Sequence, residues 1–331
     1  MTPLTPTPTT SPSASGGPLA SRRQFVLGTG LAGLGVLVVA CSSSEDGRDG
    51  AASGGDTAEQ ATTSSTGAPV TDERIVVIGE EYLLADLLEL GVVPVASTAT
   101  VAEAGFHALD DYDTSGIQAL PATERNLELL ASLEPDRIIT FQFFADELGE
   151  DTLSSMAELT VLPDGIGPVE LVTTYGELFG RQEQAAELVA EYEAAQARAA
   201  EALAGLEVSV VAIYAGPSVA AFVDGPWAVP QELLDAGASL VPTPAQAEPD
   251  RNGRAYLSME RLDLISGPQL ILLTSPLVEG ERQAIDEVGA SPLWATLPAV
   301  SAGAVTELDR LGYPGIQGRI ALIDDLITAL G

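Results

Sequence analysis

The sequence predicts an α/β protein built as two Rossmann-like α/β lobes joined by one long bridging helix. Three observations lead to it. Apolar, β-branched runs alternate with segments whose Leu and Ala recur at helical spacing, as strands and helices sharing a sheet require. The stretch from Arg181 to Ala204 contains neither Gly nor Pro and is dense in Ala, Glu, Gln and Leu, all strong helix formers. The order of elements before that stretch also returns after it.

"RIVVIG" (Arg74–Gly79) is a β-branched run bounded by Gly, hence a buried strand. "YLLADLLELG" follows at helical spacing and ends at Gly91, a suitable C′ residue. "VVPVAST" is the next strand, so the order is βαβ and the sheet is expected to be parallel. "NLELLASLEPDRII" (Asn126–Ile139) reads as a short helix capped by Asn126, a stop at Pro135 and a buried strand. "LTVLPD" supplies a further strand, which completes a first lobe over residues 71–167.

Residues 168–204 turn helical, and the uninterrupted part from Arg181 makes a rod of about 36 Å at 1.5 Å per residue. Strands resume with "VSVVAIYA" (Val208–Ala215), opening a second lobe over residues 205–331. There, "VPQELLDAGASLVP" (Val229–Pro242) parallels "LLADLLELGVVPV" (Leu83–Val95) as helix, Gly turn and short strand. "SMERLDLISGPQLILLT" (Ser258–Thr274) parallels "NLELLASLEPDRIIT" (Asn126–Thr140). Each of these opens with a capping residue, Asn126 or Ser258, and places a Glu two residues on, Glu128 or Glu260.

Residues 1–41 read as an export signal. Arg22 and Arg23 precede an uncharged run, Phe25 to Ala40, which is short for a membrane span. "SRRQF" resembles a twin-arginine signal and "VVAC" a lipobox, which implies that Cys41 becomes the lipidated first residue. The competing reading is an uncleaved anchor helix with an ordinary Cys. Residues 42–70, rich in Ser, Gly, Thr and Ala and free of aromatics, form a flexible tether.

Composition narrows the function. The 48 acidic residues against 14 basic ones give a formal charge of −34, and every basic residue is Arg. Such a surface repels phosphate backbones, so nucleic acid is a poor partner. One Cys and one His exclude a disulfide framework and a Cys/His zinc site.

From Arg74 to the C-terminus the chain resembles the helix-bridged class of ABC-transporter substrate-binding proteins, carriers of ferric siderophores, haem or cobalamin. The stretches that carry the resemblance are "RIVVIG…LLELGVVPVAS", "TERNLELLASLEPDRIIT", the long rod, "LSMERLDLISGPQLILL" and "SPLWATLPAVSAGAVTELD", in the family's order. The iron–siderophore branch is the most similar, with a lean to hydroxamate binders through "TERNLELL" and "PLWATLP". The resemblance implies a ligand cleft between the lobes and a monomeric lipoprotein on the outer face of the cytoplasmic membrane. Its partners would be a permease and its ATPase, its cargo a ferric siderophore, and no intrinsic cofactor or protein-held metal is expected. Glu128 and Glu260 fall on the positions by which this family docks onto permease arginines. Each Glu also opposes the positive end of its own helix, a contribution of about 0.3–1 kcal/mol.

A siderophore ligates Fe(III) by itself, so the cleft needs aromatic walls and a few donors rather than metal ligands. Loops after strands supply the candidates. In the first lobe they are Tyr82, Arg125, Phe143 and Phe144; in the second, Trp227, Arg254, Arg310 and Tyr313. Core packing is the rival role for Tyr82 and Phe144, and plain solvation for Arg254. His107 reads as a rim residue and Trp294 as core. The few cleft arginines disfavour a strongly anionic tris-catecholate. An exported enzyme is the rival class, yet the chain has no G-x-S-x-G, H-E-x-x-H or CxxC.

Overall fold

The computed structural model describes residues 71–331 except 123–125 and 217. The signal-like segment, Cys41, the tether and Arg125 lie outside the described residues.

Four consecutive apolar residues with no polar alternation suit a strand covered on both faces, and β1 (Ile75–Ile78) is buried throughout. Around it stand β2 (Ala96–Ala99), β3 (Gln118–Pro121), β4 (Arg137–Phe141) and β5 (Glu158–Leu162). They form one parallel sheet in the order β3-β2-β1-β4-β5, the crossover arrangement of a Rossmann-like half. Helix α1 (Glu80–Glu89) connects β1 to β2. It ends where Gly91, at φ 73°, donates to Leu88 O and Val92 N–H reaches back to Leu87 O, a Schellman closure that favours glycine. Helix α2 (Leu127–Ser132) precedes β4, and Asn126 caps it by accepting from the N–H groups of Glu128 and Leu129. The helix stops at Leu133, two residues before Pro135. Helices α3 (Gln142–Leu148) and α4 (Glu150–Ser154) lead to β5.

After α5 (Pro168–Leu178) comes the rod, α6 (Gln182–Leu203), of 22 residues. Its buried residues, Ala185, Tyr192, Ala195, Ala199 and Leu203, recur at three, four and seven and so line one face. Small residues there admit close packing against α5 and against α10 (Gly315–Leu330), the last helix of the chain.

The second sheet departs from the expected all-parallel pattern. β6 (Glu207–Tyr214) pairs antiparallel with β7 (Ser218–Phe222), which pairs antiparallel with β9 (Arg254–Leu257). Residues 215–217 are too few for a crossover, so the chain can only turn back as a hairpin. The parallel part follows the repeat. α7 (Ala228–Asp235) leads to the two-residue β8 (Ser239–Leu240), parallel to β6 as β2 is to β1. β10 (Gln269–Thr274) lies on the other side of β6, as β4 does of β1, and β11 (Val305–Asp309) completes the edge. Between β10 and β11 run α8 (Glu281–Gly289) and α9 (Pro298–Ala302), with Trp294 buried between them.

The second copy of the helix-and-Glu unit is a correction in detail. Met259–Leu264 is a kinked 3₁₀ segment rather than an α-helix, and Ser258 makes no side-chain cap. Its hydroxyl interacts with the Glu260 carboxylate instead, leaving the backbone N–H groups without the acceptor that Asn126 provides in the first lobe.

The lobes also meet through α1 and α10. Asp86 Oδ1, on α1, accepts from Ile316 N–H at 2.8 Å and caps the helix of the other lobe. The approach is tight enough that a Cβ at Gly315 would fall 2.7 Å from Ala85 Cβ.

Candidate ligand-binding cleft

The parallel strands of both sheets end at loops that bear most of the predicted site residues. In the first lobe, Tyr82 sits on the first turn of α1 and donates to Ile166 O at 3.3 Å. Its ring stands 5.9 Å from Phe141 at the end of β4; Phe141 is 6.4 Å from Phe144, and Phe144 is 5.3 Å from Phe143. The four rings form one chain of aromatic contacts. Phe143 is its exposed end (53%), with its backbone N–H fixed by Asp164, while Phe144 also packs on the core beneath α2. Burial raises the Tyr82 phenol above its ordinary range, partly offset by Arg319, so it stays a neutral donor.

The second wall is built on one face of β6 and β9. Side chains two apart on a strand share a face, which places Arg254 beside Tyr256. The Arg254 guanidinium lies 5.8 Å from the Trp227 ring and 5.6 Å from the Tyr256 ring. Trp227 is held by its indole N–H on Asn252 O and by an edge contact with Phe222. Tyr214, the last residue of β6, stands 6.4 Å from Tyr256 and 5.4 Å from the guanidinium of Arg310, which follows β11. Tyr256 is 53% exposed, the counterpart of Phe143 in the other lobe.

The arginines are committed to carboxylates. Arg310 forks onto Glu281 with both contacts at 2.6 Å, and Arg254 gives two hydrogen bonds to Asp250 Oδ2, at 3.1 and 2.9 Å. Burial works against the Arg254 charge, but hydrogen bonding with Tyr214 and Asp250 outweighs it and holds the group above its ordinary value. His107 spans the lobes through a 2.7 Å contact between Nε2 and Asp309 Oδ2, while its backbone N–H donates to Glu81.

The structure thus gathers Tyr82, Phe143 and Phe144 in one wall, and Trp227, Arg254 and Arg310 in the other. Tyr313 donates to Asp325 on α10 and packs on the central core. Sequence reasoning missed Phe141, Tyr214, Tyr256, Asp250, Glu281 and Asp309. The period-two pairing of Arg254 with Tyr256 was a usable signal for one of them; the carboxylate partners reach their arginines through the fold. Glu128 and Glu260 are both exposed, each two residues past the residue preceding its helical turn. Glu260 is held below the ordinary carboxylate range by its own backbone N–H and by Ser258. Among the described residues no three His, Cys, Asp or Glu side chains gather as a metal site.

Residues 75–310 match a family model described as periplasmic binding protein. Solved structures share the fold at low identity. SirA of Staphylococcus aureus is 19% identical, with a TM-score of 0.64 over 78% of this chain and 98% of that one. FhuD2 of the same organism, solved with bound ferrioxamine B, gives 19% identity and 0.63 over 78% and 98%. FhuD of Vibrio cholerae, bound to Fe3+–Desferal, gives 23% and 0.62 over the same shares. Among curated proteins no sequence matches.

Proposed function

The chain belongs to the periplasmic binding protein family, and from that premise we propose that it captures a ferric siderophore outside the cytoplasm and delivers it to an ABC-transporter permease. The observation that carries the reading is the pair of aromatic walls, one per lobe, with Arg254 and Arg310 on the second and His107 bridging to Asp309. Such walls suit a bulky chelate that brings its own iron ligands and needs apolar contact and a few oxygen-directed donors. Proteins of like fold have been solved with ferrioxamine B and with staphyloferrin B, which supports the same ligand class.

The hydroxamate type fits better than a tris-catecholate, because a trianionic complex would need several free cations beside it. Haem carriage by His107 would have to use Nδ1, because Nε2 is engaged by Asp309. We place Glu128 and Glu260 at the permease contact and Cys41 at the lipid anchor, so that the chain works as a monomer held by a tether. Titration of residues 71–331 with a ferric trihydroxamate should quench tryptophan fluorescence, since Trp227 lines the wall. Neither quenching nor a thermal shift with any of a panel of ferric siderophores would refute the reading.

A further inference from the structure

The two arginines on the second wall look at first like anion receptors, but their partners forbid that role. Glu281 is 1% exposed and its carboxylate is pinned three ways: by both Arg310 contacts and by Ser275 N–H at 2.6 Å. Asp250 is pinned likewise, accepting from the N–H groups of Asn252 and Arg254 at 2.8 and 3.0 Å as well as from the Arg254 guanidinium. Neither carboxylate can swing away. If Arg310 turned toward a ligand, it would strand the buried Glu281 carboxylate without its cation. Asp250 is 29% exposed, and the Arg254 pair is held instead by hydrogen bonds from both the Arg254 backbone N–H and its guanidinium. His107, which bridges the lobes, is spent on Asp309. Around all three the chain carries a formal −34. Its field reaches an approaching anion within a Debye length of about 8 Å at physiological salt.

We propose that Glu281 and Asp250 are positioning residues that set the charge specificity of the cleft: by holding Arg310 and Arg254 they make it select ferric chelates of zero or positive net charge and turn polyanionic ones away. This rests on the ferric-siderophore reading and deepens it. The wall then offers its arginines as planar surfaces for stacking, through Tyr214, Tyr256 and Trp227, rather than as free charges. A chelate with a pendant ammonium is favoured by the surrounding field as well.

The test uses the full chain in detergent and three probes: a ferric trihydroxamate with one free ammonium, its N-acetylated neutral form, and a ferric tris-catecholate trianion. Calorimetry should rank the ammonium form first, with an advantage over the acetylated form that shrinks as salt is added. The trianion should bind at least about tenfold more weakly than the neutral form. Glu281→Gln keeps an acceptor for Ser275 N–H but leaves the Arg310 charge uncompensated, so the ratio of trianion to neutral affinity should rise about tenfold. Asp250→Asn should move the same ratio independently through Arg254, which guards against misfolding of either variant. A trianion that binds the unaltered chain as tightly as the neutral chelate, or a ratio unmoved by both substitutions, overturns the charge filter while leaving siderophore binding intact. Failure of all three probes to bind overturns both.

Discussion

His107 Nε2 lies 2.7 Å from Asp309 Oδ2, so the one histidine of the chain joins the loop after β2 to the end of β11 and ties one lobe to the other. The Asp309 hydrogen bond raises the imidazole above its ordinary value, against partial burial and with help from the charges of Glu81 and Asp110. A folded pKa above the unfolded one means that the bridge's stabilisation is complete below pH of about 6.5 and is lost as pH climbs through the raised value. Nuclear magnetic resonance of the single imidazole should find it titrating above about 6.5, and Asp309→Asn should bring it down. Titration at or below that value in the unaltered chain would show that the bridge does not form in solution.

A second pH-sensitive link lies deeper. Burial pushes the Asp86 carboxyl up to about 7 and, with the Asp86 charge adding to it, the Glu89 carboxyl up to about 10. Glu89 Oε1 accepts from Gln317 N–H, whereas Oε2 is buried with no donor reaching it. Above about pH 7, where Asp86 carries its negative charge on the N-terminus of α10, that atom is satisfied by keeping its proton and giving it to Asp86. Both folded values exceed the unfolded ones, so the pair's contribution is complete below pH of about 4 and drains away as pH rises through 7 toward 10. Glu89→Gln retains a donor that does not titrate. Its melting temperature should therefore fall less than the unaltered chain's between pH 7 and 10, and parallel curves would refute proton sharing.

Arg319 and Glu232 form a buried ion pair in the second lobe, 3.1 Å apart and 3% and 2% exposed. Tyr192 of the rod donates to the same Glu232 oxygen, which joins α6, α7 and α10. Burial raises the Glu232 carboxyl, and Arg319 and Tyr192 pull it back. Arg319→Met strands that carboxylate and should cost about 3–5 kcal/mol in urea unfolding, while adding Glu232→Leu should recover most of the loss. A single-variant cost under about 1 kcal/mol would show that water reaches the pair.

Local physics made the first lobe readable. Apolar runs such as Ile75–Ile78, the cap at Asn126, the Gly91 turn and the Gly-free rod each announce themselves within a few residues. The second lobe hid more, because a hairpin was inserted between β6 and α7 and its strand Ser218–Phe222 is short and Ala-rich. At the cleft the aromatic and arginine wall residues were legible, namely Trp227, Arg254, Arg310 and Phe143. Their partners were not: Glu281 precedes Arg310 by 29 residues and His107 precedes Asp309 by 202. A charge pair across such a separation exists only once the chain has folded. In a sequence with 48 carboxylates nothing marks the one that matters.

The two exposed glutamates offer a test that separates docking from binding. Glu128 and Glu260 project from matched positions but rest on unequal supports, an Asn-capped α-helix and an uncapped 3₁₀ turn. Asn126→Ala should cost about 1 kcal/mol by removing the acceptor for two N–H groups, and Ser258→Ala distinctly less, since its hydroxyl serves only Glu260. Both carboxylates are exposed and neither belongs to the aromatic walls, so Glu128→Ala with Glu260→Ala should leave chelate affinity unaltered in calorimetry. If these residues meet permease arginines, the same double variant should stop uptake of the iron complex into cells, and Glu128→Arg with Glu260→Arg should do so more completely by repulsion. Uptake at the unaltered rate would remove the docking role from both residues, and a fall in chelate affinity would place them in the binding site instead.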